Sequence, residues 1–327
     1  MFKMKTTPRT YGSLKEILGI PDKDDQLFST FLTPEKPKPY ARYTGDGIRW
    51  RYFGHACILV ETKDISILFD PILSYTYENH ISRYTYEDLP DSIDYVVITH
   101  NHQDHILFET MLQLRHKIKN VVVPRNSGGQ LQDPSLRLMF QAVGFKNIIE
   151  LEEFDGISIP TGSILGLPFF GEHCDLYIRT KMAWMLKLGP HKLLFAADSC
   201  NIEFKLYDHI RREVGDLDVL FLGMECDGGP LSWLYGPLFT KPLDRKMDQS
   251  RRFAGSNYER GMNIVSRFNF KDVFVYAMGQ EPWLNYIMSL KYTEQSNPIL
   301  HSNRLIEECR QKNIRSERLF GEKEILY

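Results

Sequence analysis

The chain of 327 residues is 43% apolar and 13% aromatic, and its 40 basic and 42 acidic side chains leave a formal net charge of −2. That suffices for one large core or two modest ones, and so even a balance gives no support to a nucleic-acid or membrane-surface role. Five scattered cysteines without a CxxC pair argue against a disulfide framework or zinc knuckle, and no run reaches the ~20 apolar residues of a membrane span, so a cytoplasmic setting is expected.

The amino terminus, "MFKMKTTPRTYGSLKEILGI", is basic but has no sustained apolar stretch and no small-residue cleavage site, so it does not read as a secretory leader. Residues 1–45 are rich in Pro and Lys, with a short helical pattern near Leu14 to Leu18, and are expected to form an arm; residues 46–327 are expected to form the catalytic domain. Next, "IRWRYFGHACILVET" and "ISILFDPIL" read as two strands split by a turn at Lys63 and Asp64, and "IDYVVITH" as a buried strand. Leu107, Met111, Leu114 and Ile118 then fall at helical spacing before the strand "NVVVPR", which places the intervening "THNHQDH" at a strand's carboxyl end. The later segments "GISIPTGSILGLPFF", "LYIRTKMAWMLKLG", "HKLLFAADS", "DVLFLGM" and "DVFVYAMG" form a second β-rich set, with a helix over Tyr258 to Phe268.

The stretch "THNHQDH", residues 99–105, carries three histidines and an aspartate. In an extended segment side chains alternate, so His100 and His102 point the same way and can grip one ion, while Asp104 and His105, beyond the bend, can reach a second. A polar turn with Asp104 as a helix cap would explain one residue and leave three histidines without a reason. A dinuclear site also needs a carboxylate that bridges ions about 3.5–4 Å apart. Asp198 closes the apolar run "KLLFAADS", where an unpaired buried charge would be costly without a cation; its other use is as a helix cap. "FFGEHCDL" offers Glu172 and His173 side by side, of which one is expected to be a ligand.

These residues carry a resemblance. "THNHQDH" matches the THxHxDH signature of the metallo-β-lactamase superfamily, and "GHACILVE", "ILFDP" and "FAADS" resemble its neighbouring segments. The resemblance implies an α/β fold, an αββα sandwich with metals at one edge. The combination of "YFGHACILVE", "ITHNHQDHILFETMLQLRHKI", "VVVPRNSGGQLQDPSL", "PFFGEHCDL", "AMGQEPW" and "RLFGE" is similar to the diiron β-hydroxylases of the chloramphenicol-biosynthesis kind. That likeness implies that His100, His102, Glu172 and Asp198 bind one iron and Asp104, His105 and Asp198 the other, with Glu172 and Asp198 the catalytic carboxylates. Glu172 stands where hydrolytic relatives carry a histidine, and hard carboxylate oxygens suit iron in its higher oxidation states. About 45 residues stand where those hydroxylases have a large amino-terminal domain.

Hydrolytic members supply a further histidine after a late strand, where "VFVYAMGQEPW" offers Gln280 or Glu281 as substitutes. His55 and His173 are read as supporting residues near the site, and Cys174 and Cys200 as packing residues. The segment 228–261, with Arg251 and Arg252, is read as a substrate loop. The leading expectation is a diiron oxygenase acting on an amino-acid-like or natural-product substrate, free or carrier-protein-bound, with O2 as co-substrate and an external electron-donor protein or reductant. The competing readings are a dinuclear zinc hydrolase of a phosphodiester, lactone or thioester, and a metal-binding or oxygen-sensing module without turnover. No nucleic-acid or membrane partner is expected, and a homodimer is left open.

Overall fold

The computed structural model describes the whole chain except residues 1, 6, 37, 127, 174–175, 227–228, 251–254 and 289–290. The strands in chain order are β1 (Arg49–Gly54), β2 (Cys57–Glu61), β3 (Ser66–Phe69), β4 (Ile93–Val97), β5 (Ile118–Pro124), β6 (Ile148–Leu151) and β7 (Gly156–Ile159). They continue with β8 (Gly162–Leu167), β9 (Ala183–Leu188), β10 (His191–Phe195), β11 (Val219–Gly223), β12 (Asp272–Tyr276), β13 (Arg315–Arg318) and β14 (Lys323–Leu326). Two seven-stranded sheets result, ordered β14-β1-β2-β3-β4-β5-β6 and β13-β12-β11-β10-β9-β8-β7. Strands β3 to β6 run parallel, as do β10 to β13, and the remaining pairs are antiparallel hairpins or edges.

The strands are apolar on both faces because both faces are covered. Alternate residues Trp50, Ile58, Val60 and Phe69 of the first sheet meet Trp184, Phe195, Phe221 and Phe274 of the second in one buried layer. Phe69 and Phe195 stack with ring centres 3.7 Å apart, and Trp50 packs edge-on against Phe221 and Phe274. The opposite face of the first sheet buries Leu59, Leu68 and Val96 with Met111, Leu114 and Phe140 of the helices Phe108–Leu114 and Leu136–Ala142. The outer face of the second buries Leu194, Leu220 and Val273 with Ile210, Ile264 and Leu305 of the helices Leu206–Val214, Tyr258–Val265 and Asn297–Gln311. Helix, sheet, sheet and helix therefore stack as the expected αββα sandwich.

Three local expectations are corrected. The segment 49–61 is a hairpin, since Gly54 and His55 take φ values of 112° and 51° and turn the chain between β1 and β2. The helix after the histidine motif stops at Leu114, and Ile118 opens β5. Its helical spacing came from a residue that pairs with Ile93 of β4. The segment 228–261 holds the helices Leu231–Tyr235 and Arg245–Ser250 and the start of a third, joined where Asp248 accepts hydrogen bonds from the backbone and hydroxyl of Ser232.

Strands β3, β4, β10, β11 and β12 all deliver their carboxyl ends to one edge, the place where parallel α/β sheets bind ligands. Four of these ends are bent by a non-glycine residue in the left-handed region: Asp70 (φ 39°), Ala197 (φ 46°), Cys226 (φ 62°) and Ala277 (φ 53°). Backbone held this way costs energy and concentrates at functional sites.

Candidate metal centre

The turn after β4 places His100, His102, Asp104 and His105, the end of β10 places Asp198, and the loop after β8 places Glu172. Three overlapping donor groups form among the described residues, each with its ligand atoms within 4.8 Å of one another: His100, His102 and Glu172; His100, His105 and Asp198; His55, Asp104 and His105. Asp198 Oδ2 lies 2.9 Å from His105 Nε2 and 3.5 Å from His100 Nε2, between the two halves of the site. His102 Nδ1 lies 3.2 Å from Glu172 Oε1. His100 Nε2, His105 Nε2, Glu172 Oε2 and Asp198 Oδ1 are buried without a hydrogen-bond partner. Such atoms are costly to bury unless they are satisfied, and a pair of cations satisfies all four, so the donors fit a dinuclear metal.

Glu172 and His173 lie in a turn rather than a strand, Glu172 with φ of 70°, so strand alternation does not decide between them. Position does. Glu172 enters a donor group; His173 packs edge-on against the His102 ring at 4.6 Å, and its Nδ1 hydrogen-bonds with the hydroxyl of Tyr235 at 2.7 Å. Burial and the neighbouring charges of Asp198 and Asp104 raise the Glu172 carboxyl above its usual range, against the pull of His102. Burial, with the positive neighbours His105 and His102, keeps His100 neutral, the form that ligates.

Asp70, which the sequence reading left without a role, organises the histidines. One of its oxygens accepts from the backbone N–H of Thr99 at 2.7 Å; the other accepts from the Thr99 hydroxyl at 2.6 Å and lies 2.8 Å from His105 Nδ1. Nδ1–H of His105 therefore donates to Asp70, which leaves Nε2, 2.9 Å from Asp198 Oδ2, as the atom that gives up its proton to ligate a cation. The Thr99 hydroxyl, having given its proton to Asp70, accepts from His100 Nδ1 at 3.0 Å, which frees the Nε2 of that ring as well. Burial disfavours a charged His105, but Asp198 and Asp70 outweigh it and lift its pKa well above the ordinary histidine value.

His55 is a different case. Its Nδ1 accepts the backbone N–H of Gly279 at 3.1 Å, so in the neutral ring Nε2 carries the proton, and that atom lies 3.2 Å from Asp104 Oδ2. His55 thus orients Asp104 rather than offering a lone pair. The interaction with His55, along with the field of His105, holds the Asp104 carboxyl well below its usual range despite burial. Glu281 is buried and accepts a hydrogen bond from Tyr52, while Gln280 lines a surface hollow beside the helix Asn297–Gln311; neither belongs to a donor group. Arg251, Arg252 and Cys174 lie outside the described residues, and Cys200 is buried near Arg260.

Asp198 leans over Gly223 of the neighbouring strand, where an added Cβ would stand 2.6 Å from its Oδ1 and 2.9 Å from the Ala197 carbonyl oxygen. Gly223→Ala is therefore expected to displace Asp198 and lower metal affinity about tenfold, in line with other losses of ligand support, while circular dichroism stays unchanged. Full metal retention against a chelator would show that the cradle has slack.

A beta-lactamase superfamily domain matches residues 66–228, which hold the histidine motif, Glu172 and Asp198. Over 326 residues, 98% of the chain, the sequence is 38% identical to the 4-amino-L-phenylalanyl-[CmlP-peptidyl-carrier-protein] 3-hydroxylase of Streptomyces venezuelae, of which it covers 61%. Residues 66–228 of the chain thus carry a beta-lactamase superfamily domain. The crystal structure of CmlA, a diiron β-hydroxylase from the same organism, superposes with a TM-score of 0.89 at 37% identity, over 97% of this chain and 59% of that one. Another solved structure, a metallo hydrolase from Ignicoccus hospitalis, matches over 86% of this chain and 98% of its own with a TM-score of 0.53 at 16% identity, a likeness of fold alone. The chain thus spans about three-fifths of the length of that hydroxylase.

Within the superfamily frame, the sequence signal for Asp70 was an acid closing a buried apolar strand, the same signal that marked Asp198. Glu225 carries the same signal at the end of the run "VLFLGM", whereas Tyr235 had none, because only the tertiary fold brings the segment 228–261 to the metal edge.

Proposed function

We propose that this chain is a non-haem diiron oxygenase that hydroxylates an amino-acid-like substrate, with residues 46–327 as the catalytic unit and residues 1–45 as an arm. The observation that carries this reading is the likeness to the Streptomyces venezuelae 3-hydroxylase over 98% of the chain. By the same likeness the substrate is an aminoacyl group thioesterified to a carrier protein, and the setting is natural-product biosynthesis in the cytoplasm. Three carboxylates and three histidines support it chemically, since a donor set this rich in hard oxygen suits iron that must reach higher oxidation states.

In this reading His100, His102 and Glu172 hold one iron, Asp104 and His105 the other, and Asp198 is shared. The bound iron pair supplies the redox steps by which dioxygen reacts with a C–H bond. One oxygen atom enters that bond and the other leaves as water, so two electrons and two protons come from outside, and an electron donor is required. The protein's part is to keep the histidine lone pairs aimed through Asp70 and Thr99, to pin Asp104 through His55, and to keep bulk water from the buried donor atoms. The test is elemental analysis with an optical spectrum of protein produced with both metals available. About two irons per chain are expected. Zinc in both positions, with hydrolysis of a thioester or lactone, would overturn the proposal in favour of the dizinc hydrolase.

A further inference from the structure

Beyond the ligands, one more acid faces the metal edge. In β11 and its extension side chains alternate, and Met224 points into the helix-side core, so Gly223 and Glu225 share the opposite face. Asp198 Oδ1 already occupies the space over Gly223, which makes Glu225 the next side chain along, past Asp198 toward the open edge. The backbone there is held: Cys226 has φ of 62°, its N–H donates to the Ser256 carbonyl at 3.3 Å, and its own carbonyl accepts from Gly255 N–H at 2.9 Å.

The surroundings of Glu225 are acidic. After burial itself, the groups that act on its carboxyl are Asp198, Glu172 and Asp104, opposed by His105, and together they raise it well above the ordinary carboxylate range. The Tyr292 phenol is raised in turn by burial and by the charges of Glu225, Asp198, Cys226 and Asp104. Asp104, Glu172 and Asp198 have a use as metal ligands, whereas Glu225 belongs to none of the donor groups. Among the described residues no metal-ligand group and no ion pair takes up this carboxyl.

This inference rests on the reading of the substrate as an aminoacyl group. Hydroxylation at carbon 3 requires that carbon at the metals, and the amine on carbon 2 is then its immediate neighbour and must also be accommodated inside the site. On the Glu172 flank, Lys181 has its ammonium on the Gly171 carbonyl at 3.0 Å and would repel that amine. We propose that Glu225 is the subsite that holds the α-ammonium group of the substrate and so selects amino acids over their deaminated analogues. A charge-assisted hydrogen bond of this kind corresponds to a discrimination of about ten- to a hundredfold.

The test uses the full chain loaded with zinc, which performs no oxygen chemistry, and two amide-linked pantetheine conjugates that cannot be cleaved as thioesters are. One carries L-4-aminophenylalanine and the other 3-(4-aminophenyl)propanoic acid, so they differ only in the α-amine. Calorimetric titration should show the wild type binding the first at least tenfold more tightly. Glu225→Gln should abolish the preference with metal content unchanged, and Glu225→Asp, which keeps the charge but withdraws it, should weaken it in a folded protein. A wild type that binds both probes alike, or neither, overturns the proposal. So does discrimination that survives in Glu225→Gln or is undiminished in Glu225→Asp, or metal loss in Glu225→Gln, which would make Glu225 a ligand. Failure of the oxygenase reading is seen separately, as discrimination retained by zinc protein while the iron protein hydroxylates nothing.

Discussion

Glu172→Ala is expected to lower bound iron from about two per chain to about one, whereas His173→Gln keeps both. Glu172 contributes its carboxylate to the group formed with His100 and His102, and Oε2 is buried with no other partner, so its removal strips one ion of an anionic ligand. Loss of an anionic ligand also weakens the hold on ferric iron more than on zinc, so Glu172→His should let zinc compete better and raise the reduction potential of what iron remains. His173 instead spans the His102 ring and Tyr235 of the helix Leu231–Tyr235. Its replacement should disturb the attachment of that segment, seen as a raised substrate requirement at unchanged iron content. The opposite ranking, with His173→Gln losing metal and Glu172→Ala keeping it, would return the site to a histidine-rich hydrolase pattern.

Asp70→Asn is the second large effect. The substitution is nearly isosteric, but an amide can turn its NH2 toward His105 Nδ1 and invite that nitrogen to accept, which moves the ring proton to Nε2 and aims it at the ion. The Thr99 hydroxyl loses its charged acceptor at the same time, and with it the reason to leave its lone pair for His100. Iron affinity is expected to fall about 10- to 100-fold, the usual range for removing a partner that orients metal-bound histidine. Competition with a chelator measures it, and circular dichroism checks that the fold persists. Undiminished affinity in Asp70→Asn would mean that the tautomers are set elsewhere.

The part of the site that is local in sequence was legible from it. His100, His102, Asp104 and His105 occupy one turn whose spacing alone suggests two metals, and Asp198 ends an apolar run at a point where a bare charge needs a reason. The choice between Glu172 and His173 was beyond strand alternation, because the pair sits in a turn with Glu172 in the left-handed region, and turns of that kind follow no period. The hairpin at Gly54 and His55 was hidden because strand-forming residues continue on either side of it, and Ile118 matched a helical period by coincidence of spacing with the last turn of the helix before it. Asp70 and Glu225 each close an apolar run, as Asp198 does, but the partners of Asp70 and Tyr235 lie 35 and 62 residues away, and no local pattern encodes those pairings. Residues 228–261 read as a loop because Gly and Pro punctuate them, yet short helices form between those residues.

The central claim, that the site inserts oxygen rather than hydrolyses, is tested most directly by a single turnover in labelled dioxygen. Iron-loaded protein is reduced chemically, mixed with the carrier-protein thioester of L-4-aminophenylalanine and exposed to 18O2, and the product is released and weighed by mass spectrometry. The account predicts a gain of one 18O atom at carbon 3, at most one product per iron pair, and no incorporation from labelled water. An unmodified amino acid set free from the carrier, carrying label from water and none from dioxygen, would contradict it.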